Sequence, residues 1–363
     1  MTVKWLAGNR IEGTSADRTT GTAAIPAVAG GWKELSRTTL GSAGDTIDVS
    51  SLSDKRYYMV LTDNIASGLI NSRFRLGNSS VDTGSNYARR GSENGGADTT
   101  DASADHLAMP YAENGNTHFF GVHYVSNKSD KEKLLVGHCI DEYASGSGNT
   151  PARFENAGKW TNTSNVIDII RNYNSASGDY ASGSEVVVLG YDPDDTHTTN
   201  FWEQLADVTT SSSADFFSSG TITAKKYLWV QAYVKQASPY STGLQFNSDT
   251  ANNYAIRFSG NGNSDSTAGT NTWKCAMNYS SLAGGGYFMN AFIINNASKE
   301  KLVLAQTTEN SSSGAGTAPN RLESAGKWAN TSDQITSIQI RKESGAGGGQ
   351  IQSGSFIKVW GSN

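Results

Sequence analysis

The apolar residues of this chain come in short runs that are separated by turn-forming residues. In the first half the runs are Thr46–Val49, Tyr57–Thr62, Phe74–Leu76, Phe119–Val125, Leu134–Ile140, Val166–Arg171 and Glu185–Leu189. In the second half they are Tyr227–Val234, Leu244–Phe246, Tyr254–Phe258, Phe288–Ile294, Leu302–Leu304, Ile335–Ile340 and Phe356–Trp360. Seven or eight short strands in each half, with Gly-rich turns and no crossover helices, predict an all-β chain of antiparallel sandwiches. The eight-stranded jelly roll fits the length of each half better than the shorter immunoglobulin-type fold.

The two halves are copies of one unit. Residues 151–164, with the sequence PARFENAGKWTNTS, match residues 319–332, with the sequence PNRLESAGKWANTS, at most positions and at an offset of 168 residues. Several other blocks match in the same order, which chance does not produce. The sequence therefore predicts two tandem homologous β-sandwich, jelly-roll-like domains behind a short arm. The predicted divisions are an N-terminal arm over 1–31, the first repeat over 32–191, a linker over 192–200 and the second repeat over 201–363.

The arm has too few large apolar residues to build a core of its own. Such a segment becomes ordered by lying on a neighbour. We therefore expect it to leave the first unit and pack on another chain. The candidate assembly contacts are Lys4, Trp5, Leu6, Arg10 and Ile11.

The repeated Gly-Lys-Trp, with Trp160 and Trp328, is the most distinctive local feature. An exposed Trp stacks on a sugar or on a partner's surface, whereas a Trp that repeats with its flanking loop more often plugs one end of a sandwich core. The core interpretation is the favoured one, and stacking is the alternative.

Composition narrows the function classes. Charged residues are 17% of the chain, the net charge is −5 and there is no run of Lys or Arg, which argues against nucleic acid as a partner. No apolar run approaches the ~20 residues of a membrane span, and the first residues do not form a signal peptide. We expect no membrane insertion.

Histidines and cysteines give little indication of a catalytic or metal site. His118 and His123 are five residues apart, so on one strand they face opposite sides. We expect solvated or edge histidines. Cys139 and Cys275 are not at equivalent positions of the repeat, and we expect two small buried residues.

Acidic residues offer one possible metal site. Asp192, Asp194 and Asp195 could supply oxygen ligands to Ca²⁺, but an Asp-Pro turn is the favoured interpretation. The polar segments 96–105 and 260–266 are expected to be solvated loops that could also reach a ligand.

The chain carries no nucleophile elbow, zinc-protease motif, phosphate-binding loop or Cys-x-x-Cys. A glycosidase needs two carboxylates on facing strands, for which Asp168 and Glu185 are the nearest candidates. We therefore expect a protein that is not an enzyme and uses no cofactor.

Residues 4–18, KWLAGNRIEGTSADR, and residues 31–49, GWKELSRTTLGSAGDTIDV, resemble virion proteins of tailed phages and environmental marine viruses. The resemblance extends through KRYYMV at 55–60 and the Ser-Ala-Gly-Lys-Trp block. It implies a structural protein on the exterior of the virion, of capsid-decoration, tail or fibre type. A homo-oligomer is implied, with a trimer favoured and other virion proteins as partners.

Two other functions stay open. One is a glycan-binding adhesin or carbohydrate-binding module outside the cell, with a host-surface glycan as its ligand. The other, a coat subunit with a double jelly roll, is disfavoured because the two halves are so similar.

Overall fold

The computed structural model describes residues 31–112, 117–192, 195, 200–236, 240–267, 277–279, 285–310, 314–342 and 350–363, together with the backbone of two short strands near the N-terminus. This part of the chain is built from strands and contains no helix, hence none that is long and apolar enough to cross a membrane. The two N-terminal strands, β1 (Trp5–Leu6) and β2 (Arg10–Ile11), pair antiparallel.

Among the described residues, fourteen strands belong to the first unit. They are β3 (Lys33–Thr39), β4 (Thr46–Val49), β5 (Tyr57–Ser67), β6 (Ile70–Asn78), β7 (Ser80–Val81), β8 (Tyr87–Glu93), β9 (Thr99–Ala104), β10 (Leu107–Ala112), β11 (His118–Ser126), β12 (Lys133–Asp141), β13 (Ala152–Trp160), β14 (Ile169–Asn174), β15 (Asp179–Tyr180) and β16 (Glu185–Tyr191).

In the described part of the second unit there are twelve strands. They are β17 (Glu203–Thr209), β18 (Phe216–Thr221), β19 (Tyr227–Lys235), β20 (Ser241–Phe246), β21 (Tyr254–Gly260), β22 (Ser266–Thr267), β23 (Met277–Tyr279), β24 (Gly286–Ile294), β25 (Lys301–Glu309), β26 (Asn320–Trp328), β27 (Ser337–Lys342) and β28 (Phe356–Ser362).

The two units have the same topology. The larger sheet of the first unit runs β3-β16-β5-β11-β12-β13-β8-β9, and that of the second runs β17-β28-β19-β24-β25-β26-β21-β22. The smaller sheets run β10-β6-β14-β4 and β18-β27-β20-β23, with β4 and β18 at equivalent edges. Each strand in these orders has its repeat counterpart at the matching position of the other unit, with the two smaller sheets written from opposite edges. The short strands β7 and β15 of the first unit lie off these orders and pair with β6 and β5. The predicted fold class, two tandem antiparallel sandwiches, is confirmed.

Each unit closes a core between its two sheets. In the first unit this core includes Tyr87 and Trp160, and in the second it includes Tyr254 and Trp328. All four rings are among the most deeply buried large side chains. Burial of these large rings, together with the aliphatic residues around them, stabilises each sandwich.

A third apolar layer joins the units. Along β5, Tyr58 and Val60 face the core of their own unit, whereas Met59 and Leu61 face the second unit. The larger sheets therefore pack against each other through their outer faces. The buried residues of this interface are Met59, Leu61, Phe120, Val122, Ile140, Val187, Leu189, Phe201, Trp202, Tyr227, Phe292, Ile294, Leu302, Leu304, Ala325 and Trp360. A central strand that is covered on both faces reads as a continuous apolar run rather than an alternating one.

Two expectations from the sequence are corrected. The Gly-Lys-Trp block is not a loop but lies inside β13 and its counterpart β26, each between two other strands. His118 and His123 do face opposite sides of β11, but both are fully buried, because β11 lies in the middle of the larger sheet. They are neither solvated nor edge residues.

The two polar segments are also partly strands rather than loops, since the first contains β9 and the second ends on the first residue of β22. Each of these strands lies at the outer edge of its larger sheet. An edge strand with one polar face tolerates the low hydrophobicity that hid it in the sequence.

Candidate functional site

Buried ion pairs fix the two units against each other. Asp63 of the first unit is fully buried; its carboxylate lies 2.6 Å from Nε2 of His118 and 2.8 Å from the ammonium of Lys226 in the second unit. It also accepts a hydrogen bond of 2.9 Å from the side-chain amide of Asn296. Burial alone would raise the pKa of Asp63, but the nearby His118 and Lys226 outweigh it and hold the pKa below its usual range.

Glu185 adds a second carboxylate to the same contact. Its Oε1 accepts hydrogen bonds from Lys226 at 3.1 Å and from the hydroxyl of Tyr227 at 2.8 Å. Thr39 donates a further bond of 2.5 Å to its Oε2. One cation of the second unit is thus held by two carboxylates of the first, an arrangement that compensates for the burial of charge.

A second ion cluster lies where β13 faces β26. Arg153 contacts Asp265 at 2.6 Å and Glu323 at 3.2 Å, both in the second unit, and also pairs with Glu155 of its own strand. Burial and the neighbouring Glu323 raise the pKa of Glu155 to about 7. Glu155 and Glu323 are equivalent positions of the repeat, as are His138 and Gln306, whose side chains lie 3.1 Å apart. The contact therefore joins matching parts of the two units.

Among these carboxylates, Glu185 was one of the two predicted on strands, and it serves in the contact between units. The other, Asp168, accepts a hydrogen bond from the backbone NH of Ser79 at 2.8 Å and precedes β14 in the smaller sheet. The structure thus places these two acids in different sheets of the unit rather than on facing positions of one site.

An uncovered aromatic face lies on the outer side of the first unit. We define the open aromatic face as Trp32, Tyr57, Tyr124, Leu134, Val136 and Tyr191. Trp32 packs at 6.2 Å from the ring of Tyr124 and at 5.7 Å from that of Tyr191, which stacks on Tyr57 at 6.4 Å. All of these side chains except Tyr191 line a shallow depression of about 320 Å³.

The second unit shows what this face looks like when it is covered. Leu134 and Val136 are 56% and 50% exposed, whereas the residues at the same positions of β25, Leu302 and Leu304, are 0% and 6% exposed. Tyr57 and Tyr124 are 40% and 36% exposed.

Their counterparts, Tyr227 and Phe292, are 0% and 6% exposed because the first unit lies on them. The open aromatic face is therefore the repeat counterpart of a surface that is buried in an interface. Apolar clusters left exposed in this way usually mark a binding surface.

The residues predicted from sequence lie elsewhere. Trp160 and Trp328 are 1% exposed, and each indole NH donates to a carboxylate, Asp82 at 2.7 Å and Asp249 at 2.8 Å. These rings lie in the cores and present no face for stacking. Lys4 and the side chains of the other candidate assembly contacts, Trp5, Leu6, Arg10 and Ile11, lie outside the described residues.

The other candidates have ordinary surroundings. Asp195 pairs with Lys55 at 2.6 Å and donates its backbone NH to the carbonyl of Asp192, while Asp194 lies outside the described residues. Within the described ranges, no cluster of three His, Cys, Asp or Glu is arranged to hold a metal ion. Cys139 is buried as expected, and Cys275 lies outside the described residues.

Sequence reasoning missed the open aromatic face, although a signal for it existed. The run from Tyr57 to Leu61 is apolar at five successive positions, which indicates a strand with two apolar faces rather than one. This signal shows that the outer face of the strand is apolar, but it does not show where that face is covered, since Leu134 and Leu302 are identical residues at matching positions.

Comparison with known proteins adds little to this description. No family model matches the chain, and no curated protein matches it. Among solved structures, domains LG4-5 of the mouse laminin alpha1 chain align with 94% of this chain and 92% of their own length, at 10% identity and a TM-score of 0.19. The LG1-3 region of the laminin alpha2 chain aligns with 89% of this chain and 62% of its own length, at 8% identity and a TM-score of 0.19. TM-scores this low do not establish a shared fold, so neither likeness bears on what this chain does.

Proposed function

We propose that this protein is a non-catalytic structural subunit of the exterior of a virus particle, of capsid-decoration, tail or fibre type. The observation that supports an assembly role is the open aromatic face, an apolar surface whose counterpart in the second unit is buried in an interface. The resemblance of residues 4–18 and 31–49 to virion proteins supports the location.

The occupant we propose for the face is the N-terminal arm of a second copy of the chain. The arm joins the body at Trp32, which is itself part of the face. Each copy therefore has its arm and its face side by side, as an exchange of arms between two copies that meet at this face requires. The arm carries Trp5, Leu6 and Ile11, apolar side chains that the arm has no core to bury. Closed symmetry is the usual result when one chain supplies both partners of such a contact, and a trimer is the form we favour.

Oligomeric state tests this proposal. The full chain, a Leu134→Glu variant and a chain that begins at Gly31 are compared by native mass measurement and sedimentation equilibrium. We expect a homo-oligomer for the full chain and monomers for both variants, with melting temperatures nearly unchanged because Leu134 is largely solvent-exposed. Leu69→Glu, a like change at an exposed Leu outside the face, is the control and should leave the oligomer intact.

A full chain that stays monomeric at high concentration would refute assembly through this face. The location is tested separately, by searching purified virus particles from the source of the sequence for peptides of this chain. Their absence from the particles, at a detection limit of a few copies each, would remove the virion part of the proposal.

A further inference from the structure

A polar cleft of about 280 Å³ opens between the two sheets of the first unit, away from the open aromatic face. Its lining includes Arg73, Arg89, Glu93, His106, Phe154 and Asn156. Most of these side chains are half-buried, so the cleft extends below the surface and remains open to solvent.

The second unit has an apolar cluster in this place. On β21, Ile256 and Phe258 follow Tyr254 on the inward face and pack with Leu322 of β26 in a small buried cluster. The register with the neighbouring strand makes Arg89 the counterpart of Ile256, and Gly91 the counterpart of Phe258.

The smaller sheet differs in the same way. Arg73 on β6 pairs with Tyr173, and its counterpart on β20, which pairs with Arg341, is Gly243. The first unit therefore has two guanidinium groups where its twin has an isoleucine and a glycine. Since both units have the same strand order, the fold itself does not require these arginines.

The arginines are only partly satisfied. Nη2 of Arg89 lies 3.3 Å from Asp101, but the Nε atoms of Arg73 and Arg89 are buried without a hydrogen-bond partner among the described residues. A buried donor without a hydrogen-bond partner costs stability. Such donors are therefore expected at a site where a bound ligand supplies the missing acceptor.

The chemistry of the lining restricts the ligand. The guanidinium groups donate, the Glu93 carboxylate accepts, and Asn156 does both. Burial lowers the pKa of His106, so its ring is neutral near pH 7. A multiply charged anion is disfavoured because carboxylates flank the guanidinium groups, and an apolar ligand would leave the donors unsatisfied.

We propose that this cleft binds a saccharide unit. Hydroxyl groups donate and accept at once, which matches the mixed lining, and the ring of Phe154 offers an apolar surface to one face of a pyranose. The volume fits a single hexose ring. The site is independent of the assembly proposed above, because it lies between the sheets of one unit.

Binding of simple sugars to the full chain tests the inference. Glucose, galactose, N-acetylglucosamine and glucuronic acid are titrated by calorimetry and by saturation-transfer NMR, with inorganic phosphate as a parallel probe. We expect millimolar binding of at least one sugar and a loss of affinity of tenfold or more in Arg89→Gln. Arg90→Gln is the matched control, because Arg90 is exposed and pairs with an exposed Asp98; its affinity should equal that of the unchanged chain.

A second variant guards against misfolding. Arg89→Ile places in the cleft the residue that the twin unit uses, so it should keep the melting temperature and abolish binding. Failure of all four sugars to bind at tens of millimolar would overturn the inference, as would phosphate binding alone or sugar binding that survives Arg89→Ile. None of these outcomes changes the oligomeric state, so the two proposals fail separately.

Discussion

At the scale of single residues, the duplication is visible in buried asparagine side chains that make the same hydrogen bond in both units. Asn127 Oδ1 accepts a hydrogen bond of 2.7 Å from the backbone NH of Ile167, and Asn295 accepts the same bond at 2.7 Å from Ile335. Such bonds satisfy buried backbone groups that no strand partner reaches. Their recurrence explains why Asn, which is common in turns, is retained at both buried positions.

The tryptophan anchors allow a prediction at this scale. Trp160→Phe removes the bond from the indole NH to Asp82, and Trp328→Phe removes the bond to Asp249. Because each bond joins a fully buried indole to a charged acceptor that is partly buried, we expect each change to lower the free energy of unfolding by about 2 kcal/mol. Chemical denaturation measures both variants, and the double variant should show the sum, since the sites lie in different cores. A cost near zero would contradict a contribution from the bond, since the smaller Phe ring also leaves space unfilled.

At the scale of elements, a large side chain on one strand is accommodated by a small residue at the paired position of the neighbouring strand. His123 on β11 is buried against Phe74 at 5.0 Å, and its ring occupies the space over Gly137 on β12. At the equivalent positions of the second unit stand Ala291 and Ala305, which divide the same volume differently. Burial lowers the pKa of His123 to about 3, so the ring is neutral and acts as a packing group.

Because the residues at positions 123 and 137 share one volume, we predict that substitutions at these two positions have non-additive effects on stability. Gly137→Ala alone should destabilise the protein, because its added methyl group would overlap the His123 ring. His123→Ala alone should cost about 3 kcal/mol through the cavity it leaves. The double variant reproduces the pair found in the second unit, so its cost should be lower than the sum of the two by about 1 kcal/mol or more. Denaturation of the three variants gives this coupling energy, and strict additivity would contradict the argument.

At the scale of the whole molecule, the two sandwiches act as one body because they share an apolar layer and buried ion pairs. The first unit contributes the carboxylates of Asp63 and Glu185, and the second contributes Lys226. Because the carboxylates lie on one unit and the ammonium on the other, they favour the packing of these two faces. Any other packing of the units would leave a buried charge without its partner, which is costly.

Removal of one carboxylate tests the coupling. Asp63→Asn leaves Lys226 with Glu185 alone, and we expect a loss of about 3 kcal/mol at pH 7. Because the folded pKa of Asp63 is depressed, its contribution is present above the usual carboxyl pKa of about 4 and is lost as the pH falls below it. The difference between the variant and the unchanged chain should therefore shrink in acid.

Asp130→Asn is the control for that variant, since Asp130 pairs with Lys128 on the exposed surface and such pairs contribute little. Both are followed by denaturation at pH 7 and at low pH. Equal losses for the two variants at pH 7 would show that the buried ion pair does not hold the units together.

The sequence by itself determined the duplication, the sandwich class and half of the strands, because these depend on local periodicity and on blocks that can be compared along the chain. It did not determine which surfaces are covered. Leu134 and Leu302 are the same residue at the same position of the repeat, yet one is exposed and the other is buried in the interface. Likewise, only the pairing of the strands shows that Arg89, which lines an open cleft, stands at the position of Ile256, which is packed in an apolar cluster. Only the tertiary structure decided these outcomes, because burial depends on which distant strands meet, and two copies of one fold that pack on each other cannot both have the same neighbours.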